Sequence, residues 1–352
     1  MSSTPMRVLV TAQAFAVSGG VFRDKLVKLG CTVIDSDAWG PLTLDRLIDQ
    51  ARDCDAIVAA TDPYCQAAFD ALPRLKLVAR CGIGVDSVDL ASASEHGILV
   101  TNVPDAMTDA VADYCLGLLL SVARHIHIGY ECMQGGRWAE YPGVELRGKT
   151  LGLVGFGRIG QAVASRALGF GLKLAVHDPW MRALIESGKM ESGKLDSELV
   201  ALADRVRWVD MAELLEGSDF VSIHAPNTPE TKHMINSQAF EKMRKTAYLI
   251  NTARGALVDP AALIDAVRRG QIAGAAMDVY EQEPLPIDDP LRSAPNLLLT
   301  PHNAFNSREA AVRMSQGCYE PILDILEGRI PKSVCNPEVL RSDLLRVKQW
   351  TL

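Results

Sequence analysis

Short apolar runs alternate with amphipathic stretches along the first hundred residues. RVLVTA (7–12), TVID (32–35), AIVAA (56–60), LKLVAR (75–80) and ILVTN (98–102) read as strands. Stretches around 20–29, 43–52, 64–71 and 87–96 read as helices between them. Such alternation predicts a parallel sheet flanked by helices. Residues 108–134 form one long helix-compatible segment that closes at Gly135 and Gly136. A second series starts at KTLGLVGFGRIG (149–160), with strands at LGLV (151–154), KLAVH (173–177), RVRWV (205–209), DFVSIH (219–224), AYLIN (247–251), GAAMDV (274–279) and LLLT (297–300). The stretch 181–205 is long and polar for a link between two strands, and SELVALADR within it reads as a helical excursion.

The last helical stretch, 307–327, has no strand after it to join. It is therefore expected to pack back on the first series. The predicted organisation is a discontinuous first domain, 1–106 plus 304–352, around a second domain at 107–303. The length of 352 residues suits two domains.

Composition narrows the function. Hydrophobic residues make up 48% and charged residues 22%, as in a globular protein with large cores. A net charge of −7 and the lack of any Lys/Arg block argue against nucleic-acid binding. The apolar run 113–123 is far shorter than a membrane span, and the N-terminus lacks the pattern of a signal peptide, so a cytoplasmic protein without membrane contact is expected. The eight cysteines form no CxxC pair and show no metal-ligand spacing, so no metal is expected. His125 and His127 lack a third partner and read as packing or surface residues.

The strongest local signal is LGLVGFGRIGQAVASRALGFG, which sets Gly155, Gly157 and Gly160 between a strand and a helix. The first glycine permits a tight turn, the second lets backbone approach a pyrophosphate, and the third allows close helix–strand packing. A helix N-terminus there would face the phosphates. Asp178 follows Gly160 at the end of the next strand, where a carboxylate accepts from ribose hydroxyls and repels a 2′-phosphate. With Pro179 and Trp180 beside it, and no Arg, NAD is the expected cofactor. The fold class is α/β, with two Rossmann-like or flavodoxin-like domains and parallel sheets.

Three further stretches, NTARG (251–255), MDVYEQEP (277–284) and TPHNAF (300–305), join VGFGRIG and RCGIGVDSVDL (80–90) in one order. Together they resemble the NAD-dependent D-isomer-specific 2-hydroxyacid dehydrogenases, over about residues 50–325. The resemblance implies an active site in the interdomain cleft and a catalytic set of Arg254, Glu283 and His302. Each role has physical support. Hydride transfer to a 2-oxo acid leaves alkoxide character that needs a proton donor, and an imidazole gives and takes a proton near neutrality. A carboxylate would orient that imidazole, and a guanidinium binds a substrate carboxylate. EQEP holds two candidates, Glu281 and Glu283, between which the residues alone do not choose; the resemblance selects Glu283, directly before the proline.

By the same resemblance, backbone amides at Ile83 and Gly84 take the substrate carboxylate, with Arg254. Arg158, Ile159, Pro226, Thr252, Asp278 and Thr108 adjoin the cofactor, Asp278 by bonding the nicotinamide amide. His224 is read as structural or cofactor-flanking. Asp62 stands where phosphoglycerate-using relatives often carry a basic residue, which weighs against that substrate. Asn303 and Phe305 replace the isoleucine and tryptophan of many relatives. The expected activity is reversible reduction of a small 2-oxo acid to its D-2-hydroxy acid by a homodimer, with the long helix and arm 135–143 at the interface. The alternative is an NAD(H)-sensing, corepressor-like regulatory protein on the same fold.

Overall fold

The computed structural model describes residues 5–188 and 197–347. Part of the polar stretch 181–205, residues 189–196, thus lies outside the described residues; its flanks are the helices Pro179–Ser187 and Ser197–Ala203. The chain divides into two compact units, Met1–Met107 with Asn306–Leu352, and Thr108–Phe305.

In the first unit, strands β1 (Arg7–Val10), β2 (Thr32–Asp35), β3 (Ala56–Ala59), β4 (Leu77–Arg80) and β5 (Leu99–Thr101) lie in the order β2-β1-β3-β4-β5. Every pairing is parallel. Parallel neighbours require crossovers, and the intervening helices cover both faces, which is why β3 is buried at all four residues. A helix at Gln13–Ser18, absent from the periodicity reading, packs with the helix Arg308–Leu326, which also lies on β4.

The second unit holds β6 (Thr150–Val154), β7 (Lys173–His177), β8 (Arg207–Trp208), β9 (Phe220–Ile223), β10 (Tyr248–Asn251), β11 (Gly274–Met277) and β12 (Leu297–Leu299). Their order is β12-β11-β10-β9-β6-β7-β8, again all parallel. Alternation splits each strand between two cores. Leu151, Leu153, Leu174, Val176, Phe220 and Ile250 enter one, and Val154, Ala175, Val221, Ile223 and Leu249 the other. Each Leu, Val, Ile or Phe among them stabilises the fold by about 1.5–3 kcal/mol when fully buried. The chain reverses its direction of travel across the sheet between β6 and β9, and ligands bind at such a switch point, outside the carboxyl ends of the strands.

The expected long helix 108–134 is two helices, Thr108–Ala123 and Ile126–Gln134, bent by 68°. His125 takes a left-handed φ of 53° at the break. The returning arm supplies the cause: Val144 N–H donates to the Ala123 carbonyl at 2.8 Å, taking an acceptor at the end of the first helix. No single helix among the described residues is long and apolar enough to cross a membrane.

Asp62 corrects the sequence argument about phosphate. Its side chain is fully buried and accepts from Thr11 Oγ1 (2.6 Å), Tyr64 Oη (2.8 Å) and the Leu42 N–H (2.9 Å). Burial and the neighbouring Asp62 push the Tyr64 phenol well above its ordinary pKa, so it stays a donor. A carboxylate turned into the core carries no message about an external substrate. Asp62→Ala orphans three donors at once and is expected to lower stability by about 3 kcal/mol or more, read as a lower urea midpoint. Asp62→Asn keeps one acceptor oxygen and should lose less. Equal midpoints for Asp62→Ala and the parent would remove this network from the core's account.

Candidate active site

The glycine loop leaves β6 directly. Gly155 has φ of +96°, and a Cβ there would lie 2.7 Å from the His224 carbonyl carbon, so both backbone conformation and space require glycine. At Gly160 a Cβ would meet the Gly155 carbonyl oxygen at 2.4 Å, so the helix Arg158–Gly169 can approach the loop this closely only without one. Gly157 caps that helix with no side chain, and nothing lies within 4 Å of its missing Cβ. Asp210, Asn236 and Asp259, by contrast, cap helices of the same unit with their own oxygens. The loop therefore presents open space and a helix N-terminus uncapped by side chains, which fits a pyrophosphate. Arg158 is exposed at this start, and Ile159 packs its side chain into the core.

Asp178, at the end of β7, uses both carboxylate oxygens. Oδ2 accepts from the Phe156 N–H and Oδ1 from the Met181 N–H, each at 2.8 Å. It therefore ties the glycine loop to the following helix while capping it. An ionised carboxylate accepts about four hydrogen bonds, so this leaves capacity for ribose hydroxyls.

The ends of β10, β11 and β12 bring together the chemistry-bearing residues. Asn251 folds the first turn: its Oδ1 accepts from Ala253 N–H and its amide donates to the Arg254 carbonyl. Arg254 is half-buried there. Glu283 Oε2 lies 2.6 Å from His302 Nδ1, and Glu283 Oε1 accepts from the Tyr280 N–H at 2.9 Å. Burial opposes ionisation of Glu283, but His302, the Tyr280 amide and the Arg254 charge outweigh it and hold its carboxyl below the usual carboxylate range. His302 adopts φ of 48°, and the Phe305 ring stands edge-on to its imidazole with centroids 5.9 Å apart.

Asp278 gathers the loop after β12. It is fully buried, and its carboxylate accepts from Thr300 Oγ1 (2.6 Å), Asn303 N–H (2.9 Å) and Ala304 N–H (2.8 Å), while its carbonyl takes the His302 N–H. Asp278 anchors the loop that carries His302. Tyr280, which the sequence reading passed over, completes this anchorage, its hydroxyl reaching the carbonyls of Met277 and Thr300 at 3.0 and 2.9 Å. Burial pushes its phenol up, so it remains a donor. An aromatic residue after a strand reads as packing, and the reach of its hydroxyl has no sequence signal.

The remaining candidates are scattered. Thr252 is nine-tenths buried at the end of β10, and Pro226 is exposed after β9. The hydroxyls of Thr108 and Thr252 are buried with no hydrogen-bond partner among the described residues. In the first unit, Ile83 and Gly84 follow β4 half-buried, the Ile83 carbonyl held by the Asn102 amide at 2.8 Å. His224 packs against the glycine loop and meets Ser222 Oγ at 2.9 Å; burial lowers its pKa to about 4.

Comparison with known proteins decides the lineage. Residues 116–304 match the D-isomer specific 2-hydroxyacid dehydrogenase, NAD binding domain. The chain is 40% identical over 315 residues to the glyoxylate reductase of Korarchaeum cryptofilum, covering 87% of this chain and 90% of that one. The chain belongs to the D-isomer specific 2-hydroxyacid dehydrogenase family. It is thus an NAD-dependent oxidoreductase of 2-hydroxy acids. Among solved structures, the TT0316 protein of Thermus thermophilus is 36% identical with a TM-score of 0.79, across 94% of this chain and all of that one. D-lactate dehydrogenase of Escherichia coli is 29% identical with a TM-score of 0.78 over the same shares.

The His224 shift sets a pH dependence. Its pKa in the fold, about 4, lies below the ordinary value of 6.5, so between these values the unfolded chain binds more protons. This contribution to stability is complete above pH 6.5 and is lost as pH falls towards 4. Allowing for partial exposure, the loss is on the order of 1–2 kcal/mol. Melting curves of the parent and His224→Gln should therefore converge, or cross in the variant's favour, from pH 7 to 4.5. A constant gap would show that His224 is not held neutral.

Proposed function

We propose that this dehydrogenase reduces glyoxylate and similarly small 2-oxo acids, with His302 as the proton donor, Glu283 as the group that orients it and Arg254 as the substrate clamp. The observation that carries this reading is the 2.6 Å contact between Glu283 Oε2 and His302 Nδ1. It fixes the imidazole by one nitrogen and leaves Nε2 for the substrate oxygen. Because the Glu283 carboxyl is held low, it is anionic across the neutral range and holds His302 Nδ1 in place for proton transfer at the other ring nitrogen. Arg254 offers a planar cation for the substrate carboxylate and the reacting carbonyl. NADH supplies the hydride when bound at the Gly155–Gly160 loop. In the reverse direction His302 takes the hydroxyl proton.

The names of the relatives, a glyoxylate reductase and a D-lactate dehydrogenase, support an enzymatic role over a regulatory one and favour a short substrate side chain. Phe305, edge-on to His302, is the aromatic wall proposed to limit that side chain. A homodimer is part of the same reading. Ile126, Tyr130, Met133 and Trp138 expose large apolar surfaces on the second helix of the bent pair and its arm, as an interface would.

Absorbance at the NADH band, followed with glyoxylate, hydroxypyruvate, pyruvate and bulkier 2-oxo acids, should show fastest turnover with the smallest. Tight NADH binding without turnover of any of them would end the substrate reading. His302→Ala is expected to lower kcat by about 10²–10⁴-fold while the NADH dissociation constant stays within about threefold. Loss of NADH affinity instead would mean that the histidine serves the cofactor. Light scattering should give twice the mass of the chain, and Trp138→Glu should shift it toward the monomer.

A further inference from the structure

The turn Tyr280–Glu283 carries two carboxylates, and each meets a different histidine. Glu283 meets His302, whereas Glu281 Oε1 lies 2.6 Å from His233 Nε2. His233 belongs to a strip laid alongside the chain that follows Arg254. Its N–H donates to the Ala256 carbonyl at 2.8 Å, Ile235 N–H donates to Leu257, and Asp259 N–H returns to Ile235. Between strip and turn lies Gly255. A Cβ there would come within 1.9 Å of the Tyr280 carbonyl carbon and 2.4 Å of the Glu281 nitrogen. The Tyr280–Glu281 peptide is thus seated on the backbone next to Arg254, and the Glu281–His233 pair closes over that seat.

We infer that His233 and Glu281 form a clasp that positions the Glu283-bearing turn, and with it the imidazole of His302, over the Arg254 segment. Both are positioning residues. The inference rests on the reading of His302 and Glu283 as the proton-transfer pair. The two side chains are 37% and 40% exposed, and a pair so open to water adds little to global stability. What it changes is geometry. Tyr280 N–H holds one oxygen of Glu283, so a turn released at Glu281 moves donor and acceptor together and alters how Glu283 meets Nδ1. A small misplacement of a catalytic group costs far more rate than binding.

The test is a double-mutant cycle on the intact enzyme, with glyoxylate as substrate, or whichever 2-oxo acid turns over fastest. Glu281→Ala and His233→Ala should each lower kcat about tenfold, with substrate KM and NADH affinity within twofold and an unchanged melting temperature. The double variant should be no worse than either single one, because both remove one contact. Glu281→Gln, which keeps an acceptor for His233, should recover most of the rate. Multiplying losses, or a kcat within twofold of the parent in Glu281→Ala, overturn the clasp. His302→Ala run alongside separates the two failures. If it is inactive while Glu281→Ala is unimpaired, only the clasp falls; if it retains full turnover, the proton-transfer reading falls, and the clasp with it.

Discussion

Parallel pairing of every strand in the second unit is the constraint from which its site follows. Parallel strands point their carboxyl ends the same way, so residues far apart in the chain end at one edge of one sheet. Gly155 leaves β6 there, Asp178 leaves β7, His224 leaves β9 and Arg254 follows β10, while Asp278 and His302 follow β11 and β12. Burial on both faces keeps that edge in register, because a one-residue slip in any strand would exchange its two sets of core side chains.

Two carboxylate anchors, Asp178 half-buried and Asp278 fully buried, then convert the edge into a shaped surface. Asp178 joins the glycine loop to the next helix by accepting one amide from each. Asp278 does the same for the β12 loop, with three donors on its carboxylate. Charge-assisted bonds to backbone amides are among the stronger interactions a fold can use, and both are local enough to fix loop shape without help from neighbouring units. His302 is consequently held from two directions, its backbone by Asp278 and its ring by Glu283. A left-handed φ at a histidine is uncommon, and this double hold maintains it.

Much of this was legible in the chain. Strand positions, the glycine loop with its acidic follower and the return of the last helix all follow from hydrophobic period and from residues that only one backbone conformation suits. The misreadings share one origin. A helix-compatible run at 108–134 carries no mark of the break at His125, since a distant arm supplies the amide that takes the Ala123 carbonyl. Asp62 reads in the sequence as a carboxylate facing a substrate, and it is buried, with donors that arrive from Thr11, Leu42 and Tyr64. Tyr280 reads as an apolar residue until its hydroxyl finds two carbonyls.

By itself, the sequence determined the parallel α/β architecture and the NAD loop, because spacing, glycine and strand alternation act over a few residues, while the family followed from the resemblance of its motifs. Only the tertiary structure showed that the other glutamate of EQEP, Glu281, meets His233. Glu281 and Glu283 sit two residues apart and carry the same carboxylate, so their side-chain chemistry does not distinguish them. The seating of Tyr280 on Gly255 turns one towards His233 and the other towards His302, and that geometry exists only once β10, β11 and β12 lie side by side.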